Sequence, residues 1–319
     1  KYRELARWGV VRARYLIAKG KEEDGFEWFF KVLKFGDMIK RSPRPVLIQY
    51  LVADAVQNIA LKPMREELEK TNLPSFVLSE YASRLLLLVE DYDALKNTLK
   101  MEYMFAPNAL KEIEKSLSGK SSFEKLQEEL EGEAQFIQLP VFPLFNGIYL
   151  KPNESHLLCA NIYRRGIANA GKFYKDMKFI EAEMNSRSGH YSNWLVWMKE
   201  NIFTENRIGK ALADFIFGFS GNFFVSKCLR DFEKEATACL LALRAYKKDR
   251  GKLPTTLDEL VPTYLPKIPP DPFDGKPLRY SREKRIIYCV GEDLKDEGGS
   301  VEEKGYFGQW KDPSIFIKF

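Results

Sequence analysis

Residues 232–290 read FEKEATACLLALRAYKKDRGKLPTTLDELVPTYLPKIPPDPFDGKPLRYSREKRIIYCV, and the acidic run GEDLKDEGG follows at 291–299. Phe232, Ala236, Cys239, Leu240, Leu243 and Tyr246 recur every three or four residues, the spacing of one helical face. Lys247, Lys248 and Arg250 crowd the end of that helix, where cations meet the negative end of its dipole. Gly251 suits the left-handed position just past a helix, and Pro254 keeps the helix from resuming. Thr256 and Glu259 have capping-box spacing, so a second short helix follows, with Leu257 and Leu260 as its apolar side. Pro262, Pro266, Pro269, Pro270 and Pro272 then exclude helix. Asp274-Gly275 is a turn dipeptide. Residues 278–280 and 286–290 are short β-type runs around a polar turn, which reads as a hairpin.

That order resembles the C-terminal head of the type II secretion major pseudopilin. It is similar, more closely, to envelope proteins of planctomycete and verrucomicrobial bacteria that carry this head behind a long helical region. The resemblance rests on Tyr246, Gly251, Pro254, Leu257, Leu260, Pro269, Asp271, Pro272, Phe273, Gly275, Tyr280, Gly291, Asp293, Gly298 and Gly299. It covers residues 236–299. It implies a long helix packed on a small antiparallel β-sheet and an address in the bacterial cell envelope or periplasm. It also implies a membrane anchor upstream of Lys1, where the chain opens without a methionine.

Outward from the head, the first 130 residues read as consecutive helices. Leu5, Trp8, Arg12, Tyr15, Leu16 and Ala18 mark one, and Gly20 ends it. Phe26, Phe29, Phe30, Leu33 and Met38 mark a second, broken by Pro43 and Pro45. Residues 46–68, 76–89 and 92–105 carry three more, and 123–130 another. Such hairpins suggest stacked helix pairs, a helical-repeat or solenoid-like body. Residues 136–150 are apolar but hold Pro140, Pro143 and Gly147, so they read as an extended segment. A long helix is expected from Asn153 to Met184, a polar loop over 185–192, and an aromatic-rich helix over 194–219. The expected fold is α+β: a helical domain over 1–220 and a pseudopilin-like domain over 221–319, with 314–319 as its last strand.

The 319 residues are 45% hydrophobic and 30% charged, a globular composition. The net charge of +5 is mild, and both signs are interleaved, which reads against a nucleic-acid partner. No apolar run reaches the length needed to span a bilayer. Cys159, Cys228, Cys239 and Cys289 form no CxxC pair and read as buried thiols, although their even number permits disulfides in an envelope protein.

Chemistry is sparse. Asp293, Asp296, Glu297 and Asp312 bracket Gly298-Gly299, and short acidic loops with glycines suit hard cations. In the major pseudopilins the matching loop binds calcium, so the resemblance makes Asp293, Asp296 and Asp312 the candidate metal ligands and Ca2+ the candidate cofactor. Leu294 stands where pseudopilins often have glycine, and residues 300–311 are longer than usual. The alternative is a solvated acidic turn. Asp271 and Asp274 read as turn-forming carboxylates, with Phe273 as a core plug. Residues 166–172 (GIANAGK) have P-loop glycine spacing but lack the Ser or Thr after the lysine and the preceding strand. His156 and His190 are the only histidines, and no triad forms around Ser188 and His190.

The reading is therefore a non-enzymatic envelope protein that acts by protein–protein interaction. A subunit of a type II secretion or pilus-like apparatus is the first alternative, weakened by the roughly 220 residues before the head. An enzyme with an unrecognised site is the second.

Overall fold

Gly20, with φ +76°, ends the first helix, and the pair Ser42-Pro43 follows the second. The computed structural model describes residues 1–88, 92–117, 151–179, 220–300 and 312–319. Within these, α1 is Tyr2–Ala18, α2 Glu22–Lys40, α3 Leu47–Leu68, α4 Ser75–Leu86, α5 Tyr92–Leu117, α6 Pro152–Asn169 and α7 Ser220–Arg250. Strands β1 (Arg279–Ser281), β2 (Ile286–Tyr288) and β3 (Ser314–Phe316) form one antiparallel sheet in the order β1-β2-β3. The fold is mainly helical α+β, as expected. The segments expected at 123–130, 136–150, 185–192 and 194–219 lie outside the described residues.

Two compact units result. One joins Lys1–Thr98, Ala170–Met177 and Phe223–Phe319. The other takes in the described residues of Leu99–Asn169 and Lys178–Asn222. The sequence expectation puts its boundary at residue 220, whereas the first unit joins residues from both sides of it.

In the first unit, α1, α2 and α3 approach closely because small residues meet. A Cβ placed on Gly36 would stand 2.9 Å from the Ala53 carbonyl, and one on Gly9 would stand 2.5 Å from Val32 Cγ2. Phe26, Phe29, Leu33, Ala53, Ala60, Leu61, Leu78, Tyr81 and Leu85 fill the space between α2, α3 and α4. Three glutamate or aspartate residues open α2, matching the positive end of its dipole.

Helix α7 is the axis of this unit. From Ala236 to Leu243 every side chain is at most 2% exposed, so the helix is enclosed on all sides. Helix α3 lies along it: Arg65 Nη1 donates to Thr237 Oγ1 at 3.1 Å, and Arg230 of α7 pairs with Asp54. Past α7, Gly251 takes φ +70° and its N–H reaches the Lys247 carbonyl at 2.8 Å. The short helix after it is a 3-10 turn, Leu257–Leu260, with Glu259 reaching back to the N–H groups of Thr255 and Thr256. The hairpin pairs Arg279 with Tyr288 and Ser281 with Ile286, and β3 pairs Ser314 with Tyr288. Ile286 and Ile287 are fully buried, as a central strand requires.

In the second unit α6 ends at Asn169, well short of Met184. The Asn169 amide stops it by bonding Lys178 in both directions, donating to its carbonyl at 2.9 Å and accepting its N–H at 3.1 Å. Residues 166–172 thus leave a helix end, not a strand, so the P-loop geometry is absent there. All four cysteines are buried and free. Among the described residues no helix is long and apolar enough to cross a membrane.

Candidate functional site

Prolines and the Asp274-Gly275 turn bring three carboxylates onto one guanidinium. Arg279, at the start of β1, donates Nη1 to Asp271 Oδ2 at 2.7 Å, Nη2 to Asp274 Oδ2 at 2.6 Å, and Nε to Asp296 Oδ2 at 2.8 Å. All three nitrogens of the fork are used, which lysine could not reproduce. Asp271 is fully buried and also accepts the N–H groups of Phe273 at 2.8 Å and Val290 at 2.9 Å. Burial raises its pKa against the pull of those N–H groups and Arg279. Burial is the largest single influence on Asp274 and Asp296 and pushes both up, but Arg279's hydrogen bonds and charge, together with the N–H groups of Lys276 and Gly298, outweigh it in sum and hold both below the usual carboxylate range.

A segment that sequence reasoning passed over closes this clasp. The N–H groups of Tyr174 and Lys175 donate to the carbonyls of Pro272 and Phe273 at 3.0 and 2.9 Å. Phe173 lies on Gly275, where a Cβ would come 2.7 Å from its ring, and Tyr174 packs edge-on against buried Phe273. The only sequence signal was the pair of aromatics after Lys172.

The acidic loop runs from there. Asp293 Oδ1 accepts the Lys295 N–H at 3.1 Å. Asp296 Oδ1 accepts Tyr288 Oη–H at 3.2 Å and the Gly298 N–H at 3.1 Å. Asp312, at φ +47°, accepts the N–H groups of Glu297 and Gly299 through Oδ2 at 2.6 and 2.9 Å. Its other oxygen, Oδ1, is buried without a hydrogen bond among the described residues. Burial pushes the Asp312 carboxyl up, against those two N–H groups, and the nearby Asp296 and Glu297 charges push it further. Lys284 Nζ meanwhile donates to the carbonyls of Gly298 at 2.6 Å and Gly299 at 3.4 Å.

Of the three expected metal ligands, Asp296 and Asp312 flank the glycine pair and Asp293 bonds within its own turn. Among the described residues, no three His, Cys, Asp or Glu side chains gather as a metal set. Calcium takes six to eight oxygens. To reach the loop's carbonyls and the Asp296 carboxylate it would have to displace Lys284 and Arg279, two cations the protein itself supplies.

A second charged group lies along α7. Lys227, Arg230, Asp231, Lys234 and Glu235 fall three, four, seven and eight residues apart, on one face, and that face is inside the protein. Lys227 pairs with Asp231 at 2.8 Å and sits over the Tyr92 ring, while Lys234 lies 3.7 Å from Asp231. Lys40 of α2 and Arg230 both pair with Asp54 of α3. The Arg230 contact is an ion pair without hydrogen-bond geometry, and its Nη2 has no hydrogen bond among the described residues. Burial, with Lys40 and Arg230 nearby, lowers the Lys234 ammonium to about 8. Burial and the Asp231 charge raise Glu235 well above the carboxylate range. Four cations, Lys40, Lys227, Arg230 and Lys234, share Asp54 and Asp231, so removing either acid would leave buried cations unpaired and is costly, whereas the set as a whole stabilises little.

Comparison of the chain with family models, with curated proteins and with solved structures finds no match.

Proposed function

We propose that this chain is a non-enzymatic protein of the bacterial cell envelope that works by binding other proteins through a pseudopilin-like head. The supporting observation is the order and closure of that head. Helix α7, the turn Leu257–Leu260, the proline segment, the hairpin β1–β2 and strand β3 follow one another in the order that the sequence resemblance implies. Arg279 ties the proline turn and the acidic loop to the sheet. These carboxylates hold the shape of the head, which leaves the sheet rim as the surface this reading assigns to a partner. Among the described residues strands β1 and β3 are the edges and are half-buried, and edge strands are places where a partner chain adds on.

The test places a photocrosslinking residue at exposed Arg282 or Lys318, in an epitope-tagged chain expressed in its native host. An adduct of discrete mass in the envelope fraction is expected. A ladder of self-adducts would instead mark the subunit of a pilus-like assembly. Recovery in the cytoplasmic fraction without an adduct would remove the envelope reading.

A further inference from the structure

Helix α1 buries its small side chains and exposes its large ones. Ala6, Gly9, Val10, Ala13 and Leu16 face the protein, with Gly9 allowing the close approach to Val32. Leu5, Trp8, Val11 and Tyr15 face outward, 58%, 71%, 56% and 52% exposed. Their three- and four-residue spacing makes one continuous apolar face. Exposed Arg3, Arg7, Arg12 and Lys19 are interleaved with it, and Arg12 and Lys19 lie over the Tyr15 ring.

The charge is concentrated there too. Residues 1–21 hold seven Lys and Arg against the single acid Glu4, a net +6, while the whole chain carries +5. The acids that reach this helix from α3, Glu66 and Glu67, both pair with Arg14.

We propose that this face of α1 docks on an anionic membrane surface. Trp and Tyr beside aliphatic side chains suit the boundary between headgroups and acyl chains, and long basic side chains reach from there to lipid phosphates. Each such cation near an anionic leaflet adds to the attraction. Nucleic acid accounts for the cations and for Trp8 but not for exposed Leu5 and Val11. A protein partner would need an apolar groove lined with acids. With Arg3, Arg7, Arg12 and Arg14 along it, α1 is suited to lie on a bilayer, not to cross it.

Flotation of the full chain with vesicles tests this. Binding is expected to vesicles of mixed phosphatidylglycerol and phosphatidylcholine, with none to phosphatidylcholine alone, and with release in high salt. Arg7→Glu with Arg12→Glu, and separately Leu5→Ser with Trp8→Ser, should each lower the bound fraction at least tenfold while circular dichroism stays unchanged. Because both pairs are exposed, loss of fold in one leaves the other to decide. Phospholipids brominated near the headgroup should quench part of the tryptophan emission of the wild type, and Trp8→Phe should remove that part. Wild-type protein that stays with the unbound fraction, or variants that float as well as wild type, would overturn the proposal. So would a Trp8-dependent dimer, or tight binding to a nucleic-acid duplex, without vesicle binding.

Discussion

Arg279 Nη1 sits 2.7 Å from Asp271 Oδ2, an oxygen that also takes the Val290 N–H at 2.9 Å, so one buried carboxylate joins the proline turn to the end of the hairpin. Arg279→Ala would leave that carboxylate buried without a cation. Chemical denaturation should show a loss of about 3–5 kcal/mol. Arg279→Lys should recover little of it, since one ammonium cannot meet three carboxylates in three directions. Full recovery by lysine would show that charge alone matters here.

Gly275 and Gly251 have nearly the same backbone, φ +74° and +70°, but different surroundings. Alanine at Gly251 meets nothing within 4 Å and should lose only the cost of a left-handed residue, about 1–2 kcal/mol. Alanine at Gly275 also runs into Phe173, so it should lose visibly more. Adding Phe173→Ala to Gly275→Ala should bring the two glycine sites level, read as non-additivity in a double-mutant cycle.

Lys284 and Arg279 already hold the Gly298 and Gly299 carbonyls and one oxygen of Asp296, so the melting temperature should be the same in calcium as in chelator. Lys284→Met should lower stability by about 1 kcal/mol through the lost carbonyl contacts. A calcium-dependent rise that vanishes in Asp293→Asn, Asp296→Asn or Asp312→Asn would instead make those residues metal ligands.

Lys234 has a folded pKa of about 8, below that of a free lysine, so folding disfavours its proton. Below pH 8 the unfolded and folded forms are both charged and the penalty is complete, on the order of 3 kcal/mol. Between pH 8 and the ordinary lysine value the unfolded chain holds more protons, and stability from this group rises with pH. Lys234→Met should therefore stabilise the protein at pH 7, and its advantage over wild type should shrink towards pH 10. The difference between the two proteins is the quantity to follow, since raised thiols at Cys228 and Cys239 titrate in the opposite sense in both.

The head was legible because its signals are local. Gly251 and Gly275 took the positive φ that their positions implied, and the hairpin formed with its first strand at Arg279–Ser281, one residue beyond the expected 278–280, and its second inside 286–290. What escaped was any choice between two faces. Periodicity found Leu5, Trp8 and Tyr15 on α1, but the packing of Gly9 on Val32 turned that stripe outward. The charges at Lys227, Asp231 and Lys234 have the spacing of a solvated face, and their counterparts Asp54 and Lys40 lie far away in sequence. Phe173 and Tyr174 were invisible for the same reason: the proline turn they cover comes about a hundred residues later. In the acidic loop the sequence placed Asp296 and Asp312 beside the glycines but gave no hint that Lys284 reaches the same carbonyls.

Because α7 is wrapped on every side, it cannot be lifted out with the strands alone. A fragment cut at residue 221 would carry away a rod whose Arg230 had lost Asp54 and whose Thr237 had lost Arg65. The C-terminal segment is thus no detachable cap. Its spine is also the mast around which the opening helices are rigged, and either half would founder without the other.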